Sequence, residues 1–119
     1  MNKKIIAFDL DDTLFKRPNN IEHLGVDKYK YCEPINEMID ICNNLYDKGN
    51  TIYIYTARGM GQFKGNSHAA QIALYELTLN SLKDWGVKHN GLIMGKIHYD
   101  MLIDDKCLNL DDIEKIKKL

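Results

Sequence analysis

Four short apolar runs, each followed within two residues by a polar one and the first three separated by stretches of helical periodicity, constrain this chain more than anything else in it. Residues 4–8 are nearly continuous apolar, the pattern of a strand buried on both faces of a parallel sheet. Residues 51–55 are β-branched and aromatic, as a strand should be. Residues 91–94 read as a third strand and residues 99–103 as a fourth. Between the first two runs, Pro34 stands at a first helical position, and Ile35, Met38, Ile39, Cys42, Leu45 and Tyr46 share one helical face that ends near Gly49. After the second run, Asn66 or Ser67 can cap a helix that continues to Trp85 and Gly86. This helix carries two stripes, Ala70, Ala73, Leu74 and Leu77 on one side and Ile72, Tyr75, Leu79 and Leu82 on the other. The second stripe has two readings: it faces another copy of the chain in a homo-oligomer, or it packs under the loop-like segment 15–33. Asn109 caps a last short helix through Leu119. Strands alternating with helices predict an α/β domain, a three-layer α/β/α Rossmann-like core with a mainly parallel sheet and the 4–8 strand in its middle. A chain of 119 residues suits one such domain, spanning 1–119.

Charge and cysteine content exclude several classes of partner. With 16 basic and 17 acidic residues the formal charge is −1, so no global field draws in nucleic acid or an anionic membrane, and an anionic substrate must be held locally. Cys32, Cys42 and Cys107 lie far apart without a CxxC pair, which fits reduced thiols and a cytoplasmic location. The apolar start is interrupted by Asp9 before an export signal would be complete, and no apolar run approaches a membrane span.

The polar residues that end the four runs belong together chemically. Asp9, Asp11 and Asp12 follow the first run, Thr56 the second, Lys96 lies just beyond the third, and Asp104 and Asp105 follow the fourth. In a parallel sheet these ends converge on one edge, where ligands bind. Clustered carboxylates repel unless a cation compensates. Mg²⁺ suits a few carboxylates, waters and a substrate phosphate. One aspartate is then free to act as nucleophile through an aspartyl-phosphate. Thr56 and Lys96 can donate to the oxygens of the transferring phosphoryl group. The second aspartate, two residues on, can protonate the leaving oxygen and later activate water. The chain thus reads as a phosphatase acting on a small phosphorylated substrate, with the Thr56, Ala57, Arg58 turn beside the phosphate and the planar fork of Arg58 either offered to a substrate anion or engaged in a local salt bridge. Glycines 59, 61 and 65 lack dinucleotide-binding spacing and indicate a mobile loop. The four histidines are scattered, and the basic, aromatic stretch 28–31 reads as a solvated flap.

Phe8-Asp9-Leu10-Asp11-Asp12-Thr13-Leu14, Tyr55-Thr56-Ala57-Arg58-Gly59, Lys96 and Leu102-Ile103-Asp104-Asp105 resemble the four motifs of the haloacid dehalogenase (HAD) superfamily. The resemblance implies Asp9 as nucleophile and magnesium ligand, and Asp11 as general acid and base whose backbone carbonyl also meets the metal. It implies Thr56 on phosphate, Lys96 steadying charge, and Asp104 completing the metal site with support from Asp105. An aspartate at position 11 points to phosphatases or phosphomutases within that superfamily. Lys96 stands only eight residues before Asp104, and Ile97 occupies a position where proline often follows the motif lysine, so Lys106 is a reserve candidate. Neither inter-motif gap holds an inserted cap domain, which resembles the capless branch and, most closely, small phosphatases of bacterial capsule polysaccharide biosynthesis. Two other classes are alternatives: a receiver-like phosphoacceptor, disfavoured because the third run ends in Met94-Gly95-Lys96 without an aspartate, and a catalytically silent binding domain of the same fold.

Overall fold

The computed structural model describes residues 3–119. In chain order the elements are β1 (Ile5–Phe8), β2 (Phe15–Lys16), a kinked 3₁₀ segment (Glu22–Tyr31), β3 (Glu33–Pro34), α1 (Asn36–Asp47), β4 (Thr51–Thr56), α2 (Ser67–Asp84), β5 (Gly91–Met94), a 3₁₀ turn (Leu110–Asp112) and α3 (Ile113–Lys117). The main sheet is three-stranded, β1-β4-β5, and β2 pairs with β3 in a separate antiparallel ribbon. Both ladders of the main sheet are parallel, with Phe8 beside Ile54 and Thr56 beside Met94. The chain therefore has the α/β, Rossmann-like architecture its alternation implies.

The two crossovers step in the same direction along the sheet, so the right-handed rule puts α1 and α2 on one face. Burial agrees. Phe8, Ile52, Ile54 and Leu92 share one core with Met38, Ile41, Cys42 and Leu45 of α1 and Leu74 and Leu82 of α2. The other face carries Ile5, Tyr55 and Ile93, all exposed, so among the described residues the helices form one layer against the sheet where three layers in all were expected. The helix boundaries follow their chemistry. Asn66 accepts the Ala69 N–H through its side chain and so caps α2, while Ala70, Leu74, Thr78 and Leu82, four residues apart, form its buried stripe. Gly59 lets that stripe approach: its φ is +82°, and a Cβ there would lie 2.7 Å from Leu74 Cδ1. On the second stripe Tyr75 and Leu79 are half-buried against the core, α2 packs against the 3₁₀ segment, and Ile72 is exposed. Cys32 and Cys42 are buried and Cys107 exposed, none of them bridged, and burial pushes the Cys42 thiol up to about 12.

Three further expectations are corrected. Pro34 belongs to β3 rather than the first turn of α1, because its ring suits the short ribbon that closes the 15–34 flap. β1 is an edge strand of the main sheet, and Ile5 is 77% exposed. Residues 99–103 form no strand: every residue from 97 to 111 is exposed, with Ile103 at 95%. A strand exists only when an edge hydrogen-bonds it, and the free edge of β1 takes none of this segment.

Candidate active site

The parallel register delivers the ends of β1, β4 and β5 to one rim, and a cleft of about 690 Å³ opens there. Asp9, Asp11, Asp12, Thr56 and Ala57 line it, as do His98 and Tyr99. The turn after β1 is tight. Leu10 C=O accepts the N–H groups of Thr13, Leu14 and Phe15, and Asp12 sits at φ +65°, a conformation aspartate tolerates better than most residues. Asp12, otherwise without a role in the motif, thus supplies the backbone turn that separates Asp9 and Asp11 from the buried Leu14 and Phe15.

Asp9 presents an accessible carboxylate to the cleft, its side chain 41% exposed. Thr13 Oγ1 donates to its Oδ2 at 3.4 Å, and Lys96 Nζ lies 3.6 Å from its Oδ1. Lys96 itself is well placed: its N–H donates to Thr56 C=O at 3.2 Å, extending the β4–β5 ladder by one bond, and its ammonium sits 5.5 Å from the Tyr55 ring and 5.4 Å from Tyr99. Gly95, with φ +96°, makes the turn that returns the lysine toward β4. Thr56 is buried at the strand end, and its Oγ1 accepts the Arg58 N–H at 3.0 Å, leaving its own hydrogen free to donate.

Of its two expected roles, Arg58 takes the local salt bridge. Its guanidinium is fully buried and grips Asp11 with two bonds, Nη2 to Oδ1 at 2.7 Å and Nε to Oδ2 at 3.1 Å. It is therefore not a free fork for substrate. The motive is burial: a guanidinium cut off from water requires a paired carboxylate.

Asp104 and Asp105 are not brought to the cleft. They sit on the exposed 97–111 segment, where Asp104 Oδ1 accepts the Lys106 N–H at 3.0 Å, and that bond holds the Asp104 carboxyl below its ordinary value. Lys106 lies on this segment too, so between the two lysines it is Lys96 that stands beside Asp9.

Among the described residues no three His, Cys, Asp or Glu side chains are grouped to cage a metal. Mg²⁺ does not require a protein cage, since it keeps several waters and binds through one or two carboxylates plus substrate phosphate. The accessible Asp9 carboxylate at an open cleft fits that mode of binding.

Residues on the flap complete the cleft and were read from sequence as solvated. Lys28 and Tyr29 are buried there. Lys28 Nζ bonds Glu22 at 2.7 Å, which holds the Glu22 carboxyl below its ordinary value, and Tyr29 Oη accepts the Gly59 N–H at 3.2 Å. The signal was the interleaving of basic and aromatic residues straight after the first motif, which suits a wall with an apolar body and polar tips.

No family model matches the chain, and no curated protein matches it. Among solved structures it is similar to an MCSG target from Vibrio cholerae, whose crystal structure has a TM-score of 0.76 at 24% identity and covers 97% of both chains. At that identity the likeness carries the fold, which is shared over almost the whole chain.

Proposed function

We propose that this chain is a Mg²⁺-dependent phosphomonoester hydrolase of the HAD type. Its substrate is a small phosphorylated metabolite, a sugar phosphate or relative used in capsule polysaccharide biosynthesis, and its location is cytoplasmic. The observation that carries the reading is the convergence of an exposed Asp9 carboxylate with Lys96 Nζ, Thr13 Oγ1 and Thr56 at the carboxyl rim of a parallel sheet. Asp9 attacks phosphorus and forms an acyl phosphate while the ester oxygen leaves with a proton from Asp11. Asp11 then takes a proton from water, which attacks the phosphorus and returns Asp9 as a carboxylate. Lys96 offsets the charge that builds on the phosphoryl oxygens, and the hydroxyl of Thr56 can donate to the same group. Mg²⁺, when bound through Asp9, supplies charge neutralisation for Asp9 and the phosphate.

The test is phosphate release from a panel of phosphorylated sugars and small metabolites, with Mg²⁺ and with EDTA, using Asp9→Asn as the control. Selective turnover that requires Mg²⁺ and Asp9 is the expected result. Absence of release across the panel, together with no Mg²⁺ binding by calorimetry, would leave a silent fold instead.

A further inference from the structure

A guanidinium with no exposed surface has to be satisfied from all sides, and Arg58 is held by four side chains from three segments of the chain. Besides its paired bonds to Asp11, Nη1 donates to Thr78 Oγ1 of α2 at 3.3 Å and Nη2 to Cys32 Sγ at 3.7 Å. The guanidinium carbon lies 4.5 Å from the Tyr29 ring centroid. One hydrogen bond leaves a carboxylate free to rotate, whereas two parallel bonds fix both its place and its plane. Both residues line the cleft, but the Asp11 side chain is 18% exposed and that of Arg58 0%, so it is the carboxylate that presents accessible surface there. Each carboxylate oxygen has two lone-pair positions, and the fork occupies one on each, leaving the others for a proton in transit.

We infer that Arg58 is a positioning residue: it fixes the Asp11 carboxylate for proton transfer with the leaving oxygen of the ester and touches no substrate, with Thr78 and Cys32 orienting it in turn. The inference rests on the hydrolase reading above. Lysine cannot do the same work, because a point donor on a flexible stem does not clamp two oxygens at once.

Leaving-group dependence tests it. p-Nitrophenyl phosphate expels an anion that needs no proton, and an alkyl phosphate expels one that does. Arg58→Lys should lower kcat on the alkyl ester about 100-fold and on the p-nitrophenyl ester less than about tenfold, with KM unchanged on both. Adding Arg58→Lys to Asp11→Asn should cost nothing further on either ester. Thr78→Val, which loosens the guanidinium without removing it, should show the same bias at smaller amplitude, and it carries the test if Arg58→Lys does not fold. Equal losses on the two esters, a raised KM, or additivity with Asp11→Asn would overturn the inference and make Arg58 a phosphate contact. A wild type inactive on both esters removes the hydrolase reading and this inference with it. An active wild type whose variants show no bias removes this inference alone.

Discussion

The cleft at the rim of β1 and β4 and the segment 97–111 are built from the same kinds of residue, short apolar stretches next to aspartates, yet they end in opposite states. In the cleft, Asp11 is clamped by Arg58, Thr56 accepts a backbone N–H, and Lys96 lies near Asp9. Along 97–111 every residue is exposed, His98 and Tyr99 at its start border the cleft, and Asp104 finds partners within its own turn alone. The difference lies in backbone pairing. β1 and β4 are hydrogen-bonded to each other in register, which orients the residues that follow them. No strand pairs with 99–103, and without pairing an apolar run has no face to bury and its flanking aspartates have no direction.

The largest expected effect belongs to the cleft. Asp9→Asn should reduce phosphate release by at least about 10³-fold, roughly 4 kcal/mol of barrier, with thermal stability unchanged. Substantial residual turnover would move the nucleophile elsewhere and erase the contrast between the regions. On the stability side, Ile54→Ala, a fully buried strand position, should cost about 2–5 kcal/mol in urea denaturation. Ile103→Ala should change stability by no more than about 0.5 kcal/mol, because its side chain is 95% exposed. A destabilisation of Ile103→Ala as large as that of Ile54→Ala would mean that the segment is packed in solution.

Lys96→Ala should lower kcat about 100-fold, as loss of one charge-stabilising donor does, and Lys106→Ala should leave kcat unchanged. The reverse ranking would transfer the phosphate-facing role to the second region. Asp104→Asn is the substitution that sharpens the comparison most finely. With its carboxylate held within its own exposed turn, by the Lys106 N–H and by Asp105, the expected change in both turnover and Mg²⁺ affinity is small. A loss comparable to that of Asp9→Asn would show 97–111 closing on the rim and supplying the ligand that the motif resemblance implies.

Much of the framework is legible in the chain itself. The strand at 91–94, the Asn66 cap and the strand after Gly49 were readable because each depends on local rules: β-branched composition, a side-chain oxygen three residues before an orphan N–H, a glycine stop. The order of Asp9, Asp11, Thr56 and Lys96 behind their strands was readable for the same reason, since a parallel sheet brings strand ends to one rim whatever the loops do. The burial of Arg58 and of Lys28 was not. Both are charged residues in turn-like sequence, and their partners, Asp11 for Arg58 and Glu22 for Lys28, are chosen by three-dimensional proximity.

The sequence by itself thus determined an α/β chain with parallel strands and a polar rim, because periodicity and strand-end chemistry act over a few residues. Only the tertiary structure decided which residues meet there. Arg58 pairs with Asp11, and Lys96 rather than Lys106 stands beside Asp9. Asp104 and Asp105 were left outside, and β1 became an edge. Those outcomes depend on which strand edges pair and which charges are shut off from water, and both are set by contacts between residues far apart along the chain.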